Sequence, residues 1–235
     1  MNPHIYRVVV RGQVSPGRLL ALAGLSGIAI LLAFVARTYD DPWDRVSYAT
    51  ESVGHFGTNV FAPFIALALG TAALGNLVED RTLVYLWLRP VPRPALATAA
   101  FAAVISMAGP IVVAVMTVAA AITGVDDLLV ATAVATALAV FAYSGIFLAL
   151  GLRFKRSLLI GLGYIAIWEL LISRLGDWFA RLSVRSYPMS ILSDATGVEL
   201  PQADRSTLAS YVVPLAVGTA GLIYTSWRLT RTEID

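Results

Sequence analysis

Long apolar runs dominate this 235-residue sequence and leave few ways for the chain to fold. A helix needs about 20 consecutive apolar residues to cross a bilayer. Six runs come near or exceed that length: 19–36, 56–78, 95–122, 128–152, 158–172 and 208–227. Charged residues make up only 14% of the chain, against about 25% in ordinary soluble domains. The sequence therefore predicts an all-α integral membrane protein, with a single transmembrane domain over residues 1–235 and six transmembrane helices.

The cations indicate the orientation of these helices. When the loops are assigned alternately to the two sides, eleven fall on one side: Arg7, Arg11, Arg18, Arg81, Arg89, Arg93, Arg153, Lys155, Arg156, Arg228 and Arg231. The other side has six: Arg37, Arg45, Arg174, Arg181, Arg185 and Arg205. Because cytoplasmic loops carry the excess of Lys and Arg, both termini are predicted to be cytoplasmic.

Two further segments are predicted to lie at the membrane surfaces. Residues 5–11 alternate imperfectly between apolar and basic side chains, which favours an amphipathic segment on the cytoplasmic side; a disordered basic tail is the alternative. The outer segment, residues 173–207, contains several aromatic and aliphatic side chains that suit helices dipping into the outer interface. The link 123–127 is a short polar turn, so the third and fourth spans should be antiparallel neighbours.

Several function classes lack the residues that they need. Cysteine is absent, which excludes disulfides and thiolate metal sites. The only lysine, Lys155, follows Phe154 where a phosphate-binding loop requires glycine, so this chain has no such loop for ATP. The small net charge of +2 gives no support for nucleic-acid binding.

Catalytic and metal sites are also poorly supported. Ser144 stands next to glycine in the fourth span, but neither histidine lies in a later helix that could present a base to it. Glu51 and His55 would share a helical face, yet two ligands fall short of the three protein ligands usual in a catalytic metal site. We expect no catalytic residue and no metal or cofactor on this chain.

Glu169 is the ionisable residue that stands out within a predicted span. It lies about 16 Å from the cytoplasmic end of the fifth span, at 1.5 Å per residue. Charges at that depth usually face a bundle interior or a water-filled cavity and mark functional sites. A place on a transport pathway or a dimer seam is one interpretation. The other is that Glu169 reaches the outer interface, since the span is short and Arg174 follows closely.

The loop between the second and third spans has a recognisable pattern. Leu83, Leu86 and Trp87 share a helical face, an acidic pair stands in the first turn, and prolines end the helix. This predicts a short amphipathic cytoplasmic helix. The residues that carry the pattern are Glu79, Asp80, Thr82, Leu83, Leu86, Trp87, Arg89 and Arg93.

This loop resembles the E-x-x-x-G-T-L…L-x-x-P-V-x-R segment of ABC-2 type permeases, the membrane subunits of type V ABC exporters. Arg81 stands where the family commonly has glycine. The topology, the N-terminal segment and the outer segment are also similar to the family. The resemblance implies that residues 79–93 couple the permease to its ATPase.

The resemblance implies an exporter permease in a bacterial or archaeal plasma membrane. Its partners would be ABC ATPase subunits, which bind ATP and Mg²⁺, and a second permease copy or a related permease. Two alternatives remain open: a secondary transporter or channel that does not use ATP, and a membrane-anchoring or assembly subunit. The first of these predicts internal repeats or several polar groups at mid-membrane.

Overall fold

The computed structural model describes residues 6, 9–10, 12–13, 15–79 and 92–231, with the backbone alone at residues 76–79, 174 and 177. These residues form helices and no strand. In chain order the α-helices are α1 (Pro16–Arg37), α2 (Pro42–Ala49), α3 (Ala62–Glu79), α4 (Arg93–Thr123), α5 (Asp126–Arg153), α6 (Ser157–Gly163), α7 (Asp177–Arg181), α8 (Ser186–Thr196) and α9 (Thr207–Arg231).

Local sequence explains where several of these helices begin and end. Ser15 precedes Pro16 and accepts a bond from the Arg18 amide, which satisfies a backbone donor at the start of α1. Asp41 caps α2 in the same way, through the amides of residues 43 and 44. Gly124 ends α4 with a φ of 75°, a left-handed conformation that glycine adopts without a steric penalty. It begins the short turn before α5, and α4 and α5 pack against each other.

A single bent helical run joins α2 to α3. Two π-helical turns, Thr50–Gly54 and Gly57–Phe61, lie between them. The second turn ends just before Pro63, and the Ala62 amide bonds to the Gly57 carbonyl, five residues back. Proline has no amide hydrogen to continue the α-helical ladder, which accounts for the interruption here.

Five helical runs are long and apolar enough to cross a membrane: Pro16–Arg37, Pro42–Gly75, Arg93–Thr123, Asp126–Arg153 and Thr207–Arg231. They correspond to the predicted spans other than the fifth. The second begins earlier than predicted, because α2 and the first π turn, Thr50–Gly54, precede residue 56 in the same helical run. The predicted fifth span is a shorter apolar run, Ser157–Leu171. The count of six spans and the cytoplasmic location of the termini remain predictions.

Helix α5 is the centre of the bundle. It packs against α3, α4, α8 and α9. Glycine permits a close approach of α5 to α9 at Gly145. A Cβ atom at this position would lie only 2.4 Å from the Gly218 carbonyl oxygen of α9, so a larger residue would not fit. Small residues let two helix backbones approach in this way. By contrast, Gly24, Gly27 and Gly163 face open space.

The middle of the outer segment, residues 183–192, is buried inside the protein. Every residue from Ser186 to Leu192 of α8 is buried, and α8 packs against both α5 and α9. The Asn59 amide lies 3.4 Å from Met189 Sδ, so α8 also reaches the π-helical part of the second span. The segment thus covers the region in which the predicted fifth span ends.

The described part of the N-terminal segment lies along the bundle. Val9 is buried in the main core, and the Tyr6 and Ser106 hydroxyls are 2.7 Å apart. Ser106 lies roughly 20 Å along α4 from its first residue. Tyr6 and Val9 therefore lie against the helical bundle, Tyr6 beside α4 and Val9 in the main core.

Candidate functional site

The predicted coupling segment falls mostly outside the described residues. Glu79 is described by its backbone alone, as the last residue of α3. Six further residues predicted to couple to the ATPase lie outside the described residues: Asp80, Thr82, Leu83, Leu86, Trp87 and Arg89. Their proposed contacts with an ATPase remain predictions.

Arg93, the last predicted coupling residue, is described and lies at the start of α4. Its Nη1 atom donates to the carbonyl oxygens of Leu229 at 3.2 Å and Thr230 at 2.8 Å. These carbonyls belong to the last turn of α9, where backbone acceptors have no partner within the helix and a cation is favourable. Arg93 therefore joins the beginning of α4 to the end of α9.

A second cluster surrounds Glu169, which is only 2% exposed. The Tyr164 hydroxyl donates to Glu169 Oε1 at 2.8 Å, and the Val184 amide donates to the same oxygen at 3.2 Å. The Ser183 hydroxyl donates to Oε2. Glu169 thus lies in the protein interior with donors on both carboxylate oxygens. Its position relative to the membrane, on a pathway or near the outer interface, remains a prediction.

The local backbone accounts for this position. Glu169 ends a π-helical turn, Tyr164–Glu169, that follows α6, and the Leu170 amide bonds to the Ile165 carbonyl, five residues back, at 3.1 Å. The wider turn brings Tyr164 and Glu169 together on one face. Single π turns within helices are frequent at functional sites.

Arg185 is the second buried charge of this region, also 2% exposed. Its Nη2 donates to Gln202 Oε1 at 2.6 Å, and Gln202 Nε2 donates to the Ser173 carbonyl at 2.7 Å. Ser173 Oγ in turn donates to the Glu169 carbonyl at 2.5 Å. Gln202 has a φ of 68°, which is uncommon for a residue other than glycine. Its side-chain bonds hold it in that conformation.

Tyr143 of the central helix α5 faces both charges. Its side chain is fully buried. It lies within electrostatic range of both Glu169 and Arg185. We call Tyr143, Tyr164, Glu169, Ser183 and Arg185 the buried charge cluster; it holds two residues of opposite formal charge in the protein interior.

Sequence reasoning found one member of this cluster. Glu169 stood out as an acid within an apolar run, whereas Arg185 was counted among the outer-loop cations. The signal that could have found Arg185 is its position directly before a stretch rich in apolar residues, 187–192, in a segment predicted to dip into the interface. Tyr143 and Ser183 gave no signal, because tyrosine and serine commonly pack helices.

The residues considered for catalysis and metal binding form no such cluster. Ser144 Oγ is buried and has no hydrogen-bond partner in the described part of the chain. Among the described residues, no group of three or more His, Cys, Asp or Glu side chains is placed to hold a metal ion. Within the described part of the chain, no third carboxylate or imidazole joins Glu51 and His55.

A groove of about 580 Å³ lies between α4, α5 and α9. It includes the Gly109-Pro110 step of α4, and Phe141 of α5 and Leu215 of α9 form parts of its wall. Apart from Ser106 its lining side chains are apolar. Such a groove suits a hydrophobic molecule better than an ion.

No protein-family model and no curated protein matches this sequence.

Proposed function

We propose that this chain is the membrane permease subunit of an ATP-binding-cassette exporter, forms the substrate pathway as a dimer, and is driven by a separate ATPase subunit. The resemblance of residues 79–93 to the ABC-2 docking segment supports the proposal. In this account ATP and Mg²⁺ bind to the partner, and the complex lies in a bacterial or archaeal plasma membrane.

The observation that carries the proposal is the bond from Arg93 to the end of α9. Arg93 is the last residue of the resembling segment, and its guanidinium contacts the Leu229 and Thr230 carbonyls. Helix α3, which leads into the segment, and helix α4, which leaves it, both pack against α5. A displacement of the segment by an ATPase would therefore reach α3, α4 and α9 together.

A second copy is part of the proposal for a geometric reason. Helices α1 and α9 form the periphery of the bundle. Only 17% of the apolar stretch of each helix is buried inside the protein, against 83% for the second span. Their exposed apolar side chains suit either lipid or another permease. Pairing across such a face would supply the second wall of a substrate pathway.

One observation favours the alternative of a secondary transporter. The sequence indicated one ionisable residue in this region, Glu169, whereas the buried charge cluster also contains Arg185. Buried acids within membrane helices mark ion or proton pathways. In that case an ion gradient would drive transport through this cluster and no ATPase would be required. Both candidates use the same helices but differ in their source of energy.

Purification of the full-length chain from its native membrane distinguishes them. We expect an ATPase with a phosphate-binding loop to co-purify, and its ATP hydrolysis to respond to the permease. If the chain purifies without an ATPase and still transports under an ion gradient in vesicles, the secondary-transporter candidate holds instead.

A further inference from the structure

Three cations meet at one cavity near the link between α5 and α6. Lys155 and Arg156 of this link line a cavity of about 310 Å³ together with Arg18 from the start of α1. The described residues that line it include no carboxylate. The fold therefore gathers positive charge from two distant parts of the chain, with no acid among the described residues that line the cavity.

Arg18 is held in place at this cavity. Its Nη1 atom donates to the carbonyl oxygens of Gly12 at 3.2 Å and Gln13 at 2.9 Å. A guanidinium has five N–H donors, and these bonds use two of them. The side chain is thus oriented by the backbone before any ligand binds.

An apolar cavity of about 230 Å³ adjoins the cationic one. The two share Arg18 and Leu158 as lining residues. Its other lining residues are all apolar and come from α1, α3 and α6, among them Ala21, Leu22, Leu25, Phe64 and Leu162. Two of its lining side chains are partly open to the surface, Leu158 at 52% and Leu162 at 41% exposed, which suits a face that meets lipid.

We propose that the two cavities together form a binding site for one anionic phospholipid. The phosphate lies among Arg18, Lys155 and Arg156, and an acyl chain occupies the apolar cavity between α1, α3 and α6. Charge complementarity selects the anionic headgroup, since basic pockets between membrane helices on the cytoplasmic side bind such headgroups. A free phosphate ion would leave the apolar cavity unused. The site does not depend on the presence of an ATPase.

The test uses the full-length protein in detergent and measures lipid binding by native mass spectrometry during titration with phosphatidylglycerol, phosphatidylcholine or inorganic phosphate. We expect phosphatidylglycerol to bind more tightly than phosphatidylcholine, and inorganic phosphate not to displace it. The double variant Lys155→Gln with Arg156→Gln should weaken phosphatidylglycerol binding about fivefold for each charge removed.

Arg153→Gln is the matched control. Arg153 lies just before the same link, its guanidinium lies 5.2 Å from the centre of the Phe154 ring, and it does not line the cavity. It should leave lipid binding unchanged. If Arg153→Gln weakens lipid binding as much as the double variant does for each charge removed, the cations act by general surface attraction and the proposal is wrong.

Ala21→Phe tests the apolar half at an exposed position where misfolding is not expected. The larger side chain should fill the cavity and weaken binding of phosphatidylglycerol while the cations remain. Unchanged lipid binding in Ala21→Phe, equal binding of the two lipids, or full displacement by inorganic phosphate would each overturn the proposal.

Discussion

Tyr164 and Glu169 are joined by a hydrogen bond of 2.8 Å across a single π-helical turn. In an α-helix, residues five positions apart point about 140° away from each other. The wider turn is what makes this bond possible, and with it the burial of the Glu169 carboxylate. Local backbone geometry and the buried charge are therefore parts of one arrangement.

Tyr164→Phe should destabilise the protein by about 1–3 kcal/mol, because the ring is kept while a buried carboxylate oxygen loses a donor. Thermal or denaturant unfolding in detergent measures the change. Tyr224→Phe is the control, since the Tyr224 side chain is 39% exposed. Equal effects of the two variants would mean that the Tyr164 bond does not stabilise the fold.

Glu169 and Arg185 should be coupled, as two opposite charges buried at the same tyrosine. Glu169→Gln or Arg185→Gln alone should cost several kcal/mol, on the order of 3–5, because each leaves the other charge with less compensation. The double variant should cost less than the sum of the single changes. Additive costs in this double-mutant cycle would show that the charges act independently.

The same Glu169→Gln variant also tests the role of the cluster. It keeps the shape of the side chain and removes its charge. If Glu169 lies on the pathway or the dimer seam, transport in reconstituted vesicles or assembly should fall in protein that is still inserted. If the variant transports and assembles normally, Glu169 has a structural role only.

Gly145→Ala should destabilise the contact between α5 and α9 by about 1–3 kcal/mol, because the added methyl group would overlap the Gly218 backbone. Gly24→Ala is the matched change in a helix where the same methyl group meets open space. That variant should be neutral or slightly stabilising, since alanine favours helix over glycine. The comparison is made by unfolding both variants in the same detergent.

The long helices could be predicted from the sequence because apolar runs of that length have few other stable arrangements. The bounds of α4 and α5 lie close to the predicted spans, and the turn at Gly124 was marked by its residues. The π turns at Thr50–Gly54, Gly57–Phe61 and Tyr164–Glu169 could not be predicted. Their hydrogen bonds depend on how neighbouring helices satisfy the interrupted backbone.

The buried charge cluster shows why site prediction stopped at one residue. Glu169 and Arg185 are separated along the chain, and both act on Tyr143 of α5 because α8 packs back against that helix. The spacing of apolar residues predicts which face of a helix is buried. It does not predict which distant segment packs against that face. The assignment of residues 173–207 to the outer side led Arg185 to be treated as a loop cation, whereas the structure buries it.

Reporter fusions test the predicted orientation, which rests on the division of eleven cations from six. Fusions after Asp235 and within residues 153–157 should report the cytoplasm, and a fusion at Asp126 should report the exterior. A cytoplasmic signal at Asp126 would contradict the predicted arrangement of the third and fourth spans. The signal after Asp235 also bears on the count of spans.

The measurement that tests the exporter proposal most directly is ATPase capture by coupling-segment variants. Glu79→Ala and Arg89→Ala should still insert, but should weaken ATPase co-purification or leave hydrolysis running without stimulation by substrate. Truncation of a buried interfacial charge typically costs about 2–5 kcal/mol. Arg153→Ala, a cation outside the segment, should behave as wild type. Wild-type capture and wild-type stimulated hydrolysis in both Glu79→Ala and Arg89→Ala would contradict the account.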